Sequence, residues 1–344
     1  STPNPGESAA RGPPPAEPAA GLYSSMDATI AAAPAGKTIV AEISDHDSNR
    51  IASDLSSSNP KCKVAAAVLL TQPYPPNIYY GDEIGMRGTK NTTYTGDAAD
   101  IPMREPFKWL AVAGPPMSNY FAANSAAYSG RIERDNDGRS VQEQQGVSGS
   151  LLEEYKRLIA ARKASPALKK GKYIPVTTPS TRVYSFLRYD STAPAESRTV
   201  LVAINLYSQQ VSTTLNLTAT TIPGGTTTPT DLLTSAALPA ITDANKASYP
   251  ITLPAYAYRL LSVGLTPTNL GRLDIDGANI PSDFTAYGAL LATQTSPTAL
   301  GDNISELNQL FARNEPGFLA IGITGTLATD GTGLAILLDT QSGG

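Results

Sequence analysis

The sequence predicts a multidomain chain in which an α/β part precedes all-β parts. Three observations support this fold class. Helical and strand-like patterns alternate between residues 22 and 80, short apolar runs separated by turns fill residues 172–265, and two stronger strand signals lie at 318–326 and 334–339. Alternating elements favour a parallel sheet with crossover helices, whereas closely spaced short strands favour antiparallel sheets.

Composition disfavours two classes of partner. A net charge of −4 and a pI near 5.2 leave no basic stripe for nucleic acid. No apolar run approaches the ~18–20 residues that span a bilayer, so we expect a soluble chain with no membrane partner. Only 16% of the 344 residues are charged, and Thr, Ser and Ala are abundant. This composition favours an extracellular or cell-surface location.

The first elements define an α/β segment. Residues 1–21 are rich in Pro and Ala and are interpreted as a linker or loop, and a short helix over 22–33 precedes a strand at Thr38–Ser44. Asn59 as cap and Pro60 at the first helical position predict a helix that runs to about Thr71. A second strand is expected at Asn77–Tyr80, which completes the alternation.

The α/β segment is predicted to end near residue 171. Residues 86–148 are polar and rich in Gly and Pro, which is typical of a long loop. Ser150 and Glu153 then form a capping box, and apolar residues recur at helical spacing after it. This helix is expected to end near Pro166.

Two all-β segments follow. Residues 172–265 predict an antiparallel sandwich, with strands at Val183–Arg188, Thr199–Leu206, Val211–Leu217 and Tyr256–Val263. Residues 266–344 form a third segment, in which two apolar strands stand out.

Three separated runs carry a family resemblance. They are Asp45-His46-Asp47-Ser48-Asn49-Arg50 after a short apolar stretch, Tyr79-Tyr80-Gly81-Asp82-Glu83-Ile84-Gly85-Met86, and Arg104-Glu105-Pro106-Phe107-Lys108-Trp109. Together they resemble the last third of the catalytic barrel of glycoside hydrolase family 13, the α-amylase family. The resemblance implies that residues 22–171 are the C-terminal part of a (β/α)8 barrel and that residues 172–265 are the β-sandwich that follows it. Residues 266–344 resemble the start of jelly-roll domains related to family 9 carbohydrate-binding modules.

The resemblance assigns candidate site residues. Asp47 corresponds to the carboxylate that stabilises the transition state, and His46, the only histidine, to its hydroxyl-binding neighbour. Arg50 and Trp109 are further candidates for sugar contacts. Each assignment has an alternative: a polar turn for the His-Asp pair, a solvated helix-start arginine for Arg50, and a packing role for Trp109.

Two features set the chain apart from the family pattern. Asp45 stands where the family commonly has Asn, which places a second carboxylate beside Asp47. The family's nucleophilic Asp and acid Glu lie on earlier strands, and we expect this chain to begin after them. The chain alone is therefore expected to be inactive. No cofactor is expected in it, and the resemblance leaves room for Ca²⁺ only in a complete parent.

These observations predict the C-terminal portion of a secreted, retaining, α-glucan-active glycoside hydrolase of the α-amylase or α-glucosidase type. Its expected partners are an α-glucan or oligosaccharide and, against the open barrel edge, the missing N-terminal part of the barrel or neighbouring copies. The alternative is a non-catalytic extracellular binding or structural protein built from amylase-derived domains.

Overall fold

The computed structural model describes residues 18–32, 38–112, 132–268, 289–293, 306–315 and 318–326. The chain divides into two compact units, residues 1–267 and 268–344. No helix within these described ranges is both long and apolar enough to cross a membrane.

Among the described residues, the α-helices lie in the first 170. They are α1 (Pro18–Ala32), α2 (Ile51–Asp54), α3 (Asn59–Thr71), α4 (Asp97–Asp100), α5 (Val141–Gln144), α6 (Leu151–Ala164) and α7 (Pro166–Lys170), with 3₁₀ turns at Asp82–Ile84 and Ile101–Arg104. Helix α6 begins as the sequence predicts, because the Ser150 hydroxyl accepts a hydrogen bond from the Glu153 amide. The cap of α3 is Ser58 rather than the expected Asn59, and Ser58 makes no side-chain cap bond.

The two strands predicted in the α/β segment are not formed, which corrects that prediction. The segments around Thr38–Ser44 and Asn77–Tyr80 form no strands and are joined by a single parallel bridge between Ala41 and Pro76. The Asn77 amide donates to the Ala41 carbonyl at 2.7 Å, and the Ala41 amide donates to the Pro75 carbonyl at 3.0 Å. Pro75 and Pro76 have no amide hydrogen for a longer ladder, and an isolated pair of strands is marginally stable.

The strands of the first unit form antiparallel sheets. They are β1 (Lys172–Pro175), β2 (Val183–Tyr189), β3 (Thr199–Asn205), β4 (Val211–Leu215), β5 (Thr220–Thr221), β6 (Thr226–Thr227), β7 (Thr230–Asp231), β8 (Ile241–Thr242), β9 (Tyr249–Leu253), β10 (Tyr258–Ser262) and β11 (Thr266–Pro267). The largest sheet has the order β1-β2-β3-β10-β7, and the pairs β4-β9, β5-β11 and β6-β8 form small sheets. All four predicted strands of this segment are present, with ends shifted by one to two residues.

The central sheet packs against the helices of the same unit. Every residue of β2 and β3 is buried, and helices α1, α3 and α7 contact these strands. One apolar cluster joins α3, α6 and the sheet, and its members include Val64, Leu70, Leu158, Tyr184, Phe186 and Val202. Burial on both faces explains why β2 and β3 are continuous apolar runs rather than alternating ones.

Two buried arginines hold the end of α3 against the sheet. Arg188 on β2 donates to the carbonyls of Thr71 and Gln72 at 2.6 and 2.5 Å, and also to that of Gly171 at 2.7 and 3.0 Å. Arg162 on α6 donates to the carbonyls of Leu70, Gln72 and Tyr74 at 2.8–3.0 Å. Burial lowers the pKa of both guanidinium groups. These donors satisfy the last carbonyls of α3 and lie at the negative end of its dipole.

The second unit contains one antiparallel sheet among its described residues. Strands β12 (Ala289–Thr293), β13 (Glu306–Glu315) and β14 (Phe318–Thr326) pair in the order β12-β13-β14. Strand β14 coincides with the predicted strand at 318–326. The strand predicted at 334–339 lies outside the described residues.

We predict that Arg188→Met lowers the free energy of unfolding by about 2–4 kcal/mol, because it leaves buried carbonyls without donors. Urea denaturation followed by circular dichroism measures this change. The matched control is Arg182→Met, which removes an exposed arginine stacked on the Tyr207 ring and should cost under about 1 kcal/mol. Equal effects of the two substitutions would contradict the role of Arg188 in holding the end of α3 against the sheet.

Candidate functional site

The candidate site is the loop of residues 45–49, whose shape is set by its own side chains. One carboxylate oxygen of Asp45 accepts hydrogen bonds from the Asp47 amide at 2.7 Å and from the Ser48 amide at 2.6 Å. The Asp47 amide is the main cause that lowers the pKa of Asp45. This is an Asx turn, which an asparagine oxygen can also make, so Asp45 supplies the same acceptor as the family's residue. The presence of Asp rather than Asn at position 45 therefore does not prevent this turn.

The loop is closed at its base by two further hydrogen bonds. The hydroxyl of Ser44 accepts from the amide of Ile51 at 2.9 Å, which joins the two ends of the loop. The amide of Arg50 donates to the carbonyl of Gly88 at 3.0 Å. The loop therefore projects from a fixed base between the extended segment and α2.

His46 and Asp47 are presented to solvent together. Their side chains are 64% and 57% exposed, and the imidazole Nε2 lies 3.2 Å from the Asp47 carboxylate. A solvated pair of this kind can contact a ligand without moving protein atoms aside. The structure thus places these two predicted site residues at an accessible surface.

Arg104 holds the exposed carboxylate in place. Its Nη2 lies 2.8 Å from Oδ1 of Asp47, and its Nε donates to the backbone carbonyl of His46 at 3.1 Å. Arg104 also lies 3.5 Å from Asp100, which is paired with Lys90 at 3.0 Å. A fork of two donors on the carboxylate and on its neighbouring backbone fixes orientation better than a single contact. Arg104 was not among the predicted site residues, although its place in the Arg104–Trp109 run was the available signal.

Arg50 does not lie at the surface, where a sugar contact was expected. Its side chain is fully buried, and its guanidinium lies over the rings of Tyr79 and Tyr80, 4.5 and 4.7 Å from their centroids. A group in this position cannot reach a ligand at the surface, so the expected sugar contact by Arg50 is wrong in this structure. A helix-start arginine is buried here because its donors meet backbone carbonyls.

Trp109 is also exposed at the surface. It is 50% exposed, and its ring packs edge-to-face against Phe107 with the centroids 4.7 Å apart. The backbone around it is fixed, because the Trp109 carbonyl accepts from the Gln142 amide at 3.0 Å. Both a stacking platform and a packing role remain consistent with this geometry.

A charged network supports the segment that carries Trp109. Lys108 is fully buried and donates to the carbonyl of Arg134 and to Asp137. Arg87 pairs with Glu133 at 3.2 Å and with Asp137 at 2.8 Å. Pairing with Lys108, together with the Arg134 amide, lowers the pKa of Asp137 against the opposing effect of burial. No group of three or more His, Cys, Asp or Glu side chains in the described part of the chain could hold a metal ion.

Comparisons with known proteins match the first half of the chain. Residues 19–171 match the family model for the alpha amylase catalytic domain. Alpha-amylase SusG of Bacteroides thetaiotaomicron is 38% identical over 130 residues, which cover 38% of this chain and 17% of that protein. Alpha-amylase 3 of Dictyoglomus thermophilum is 28% identical over 142 residues, which cover 41% and 26%. The matched part of the chain thus spans about a quarter or less of these two relatives.

Solved structures give a similar picture. A crystal structure of an isomaltulose synthase mutant from Erwinia rhapontici in complex with D-glucose has a TM-score of 0.50 and 19% identity, and covers 71% of this chain and 46% of that one. An alpha-amylase from H. orenii has a TM-score of 0.48 and 28% identity, and covers 65% and 39%. The first similarity indicates a fold related to the (β/α)8 barrel. Residues 19–171 of this chain are thus similar to the alpha-amylase catalytic domain.

Proposed function

We propose that this chain is part of a retaining glycoside hydrolase that acts on α-linked glucose, of the α-amylase or α-glucosidase type. The observation that carries the proposal is the Asp47 carboxylate, which is more than half exposed and yet held by Arg104 at 2.8 Å. Retaining glycosidases pass through an oxocarbenium-like transition state, in which positive charge develops on the sugar. A carboxylate fixed in advance near that charge stabilises it without reorganisation.

Within this proposal each residue has a distinct task. Asp47 stabilises the developing charge, and the adjacent His46 binds a sugar hydroxyl. Arg104 keeps the carboxylate oriented. Trp109 offers an exposed aromatic face on which a further sugar unit can pack. The nucleophile and the general acid are contributed by two other carboxyl groups of the complete protein, about 5–5.5 Å apart.

Location and metal content are part of the same proposal. The low charged fraction of 16% supports an extracellular or cell-surface protein. Detection of the native protein only in the cytosolic fraction of its source cells would contradict this location. Any Ca²⁺ belongs to the complete protein, and loss of its thermal stability on addition of EGTA would reveal it.

We predict that purified residues 1–344 bind maltoheptaose weakly and release no reducing sugar from starch above a buffer control. His46 is the only histidine, so its imidazole gives a single set of NMR signals on which the sugar titration can be followed. Asp47→Ala should weaken binding about tenfold, the cost of losing a hydrogen bond to a charged group. Asp243→Ala, at an exposed carboxylate outside residues 19–171, is the control and should bind as the unchanged chain does. If the chain did release reducing sugar, and Asp47→Ala released as much, the site would lie elsewhere.

A second prediction applies to a longer protein that contains this chain and is active. Asp47→Asn should lower kcat roughly 10²-fold or more with little change in KM, because the amide keeps the shape but loses the preorganised charge. Steady-state hydrolysis of a nitrophenyl maltoside measures both constants. An unchanged kcat would favour the alternative, a non-catalytic binding or structural protein.

We also predict that residues 22–165 pack against further polypeptide, either another part of the complete protein or a second copy. Val40 is 56% exposed beside the single bridge at Ala41, so an apolar extended edge faces water. Size-exclusion chromatography with light scattering should give a mass above 35.9 kDa for the native sample. A stable monomer of the chain's own mass would be evidence against this packing.

A further inference from the structure

The base of the candidate site contains a buried arginine that joins two segments. Arg50 Nη1 donates to the Tyr80 carbonyl at 2.6 Å, and its Nε donates to the Met103 carbonyl at 2.9 Å. Met103 directly precedes Arg104, which holds Asp47. Arg50 therefore fixes both the loop that carries Asp47 and the segment that carries the Arg104 clamp.

Asp82 faces this arginine from a turn whose shape is tightly constrained. Its Oδ1 lies 3.8 Å from Arg50 Nη1, and both side chains are fully buried. Gly81 begins the turn with φ +93°, where a Cβ would lie 2.5 Å from the Met86 sulfur, and Gly85 ends it with φ +74°. Only glycine fits at Gly81 without displacing Met86, so the turn presents Asp82 to Arg50 in one orientation.

The pair is incompletely satisfied. Arg50 Nη2 has no hydrogen-bond partner, and the Asp82 carboxylate lies near the Ser44 hydroxyl without forming a hydrogen bond of good geometry. Burial raises the pKa of Asp82 to about 7, against the opposing effects of Ser44 and Arg50. The other groups that interact electrostatically with it are Glu83 on the same turn, Cys62 on α3 and Tyr155 on α6. Burying a carboxyl without hydrogen bonds is costly, and stability alone would favour an apolar residue here.

We propose that Arg50 and Asp82 form a buried positioning pair that sets the orientation of the His46–Asp47 loop and of its Arg104 clamp. The pair acts through the backbone carbonyls of Tyr80 and Met103 and touches no ligand itself. Ionisation of Asp82 tightens its attraction for Arg50, and protonation releases it. The role in sugar binding rests on the proposed function, whereas the control of loop orientation does not.

The pH dependence has a definite sign. The folded chain keeps the Asp82 proton up to about pH 7, whereas an unfolded aspartate releases it near pH 4. The folded state thus binds more protons between these values, so the stability contributed by this group falls as pH rises from about 4 to 7. Above pH 7 the ionised pair is retained at the expense of stability.

NMR of the full ¹⁵N-labelled chain tests the pair directly. The Arg50 Nε–Hε signal should change with a midpoint near pH 7, and Asp82→Asn should abolish that inflection. At one fixed pH, the His46 imidazole signals should shift in Asp82→Asn and in Arg50→Lys. The control is Asp231→Asn, which disrupts another buried aspartate paired with an arginine, Arg259 at 3.0 Å, and should leave the His46 signals unmoved.

His46 signals that stay in place in both Asp82→Asn and Arg50→Lys would overturn the proposal. A pH-independent Arg50 signal in the unchanged chain would overturn its pH dependence. If Asp82→Asn does not fold, the pH titration of the unchanged chain and the His46 signals of Arg50→Lys test the proposal. Unmoved His46 signals combined with loss of maltoheptaose binding in Asp47→Ala would reject the positioning pair and keep the proposed function. Moved signals in a chain that binds no maltoheptaose would support the pair and reject the function.

Discussion

Hydrogen bonds from buried arginines to backbone carbonyls are the interaction on which the first unit depends. Arg162 and Arg188 bind the end of α3, and Arg50 binds the carbonyls of Tyr80 and Met103. Irregular segments leave carbonyl oxygens without partners, and burying such oxygens is costly. One guanidinium has five donors in a rigid plane, so it can satisfy several carbonyls from different segments at once. This is how residues 72–80 and 100–104 acquire fixed positions without forming strands.

The same interaction links the fold to the candidate site. Arg188 and Arg162 fix where α3 ends, and the chain then continues through Gln72 and Pro73 to the tyrosines that hold Arg50. Arg50 in turn fixes the base of the loop, and Arg104 fixes its exposed carboxylate. The solvent-facing pair of His46 and Asp47 is therefore backed by buried charge. Groups near the surface contribute little by themselves to stability, but here they are oriented by donors that cannot move freely.

Much of the fold could be predicted from local patterns. The helix cap at Ser150 and the apolar runs of β2 and β3 depend on neighbouring residues, and their positions were predicted to within about one residue. The second half of the predicted capping box is absent, because the Glu153 carboxylate accepts from the Gly146 amide instead. The burial of Arg50 could not be predicted in this way, because its acceptors lie 30 and 53 residues away in the sequence. Likewise, Arg104 and Asp47 are 57 residues apart. The strands expected at 38–44 and 77–80 were misjudged because apolar residues alone do not form a ladder. A ladder also requires paired amides, which Pro75 and Pro76 lack.

If arginine–carbonyl bonds join the helices to the sheet, the two parts should unfold together. Hydrogen exchange followed by mass spectrometry across a urea series measures the protection of α3 and of β2 and β3 separately in one sample. Our account predicts that both lose protection at the same urea concentration, because Arg162 and Arg188 connect them. Loss of protection in α3 at a clearly lower urea concentration, with β2 and β3 still protected, would contradict it.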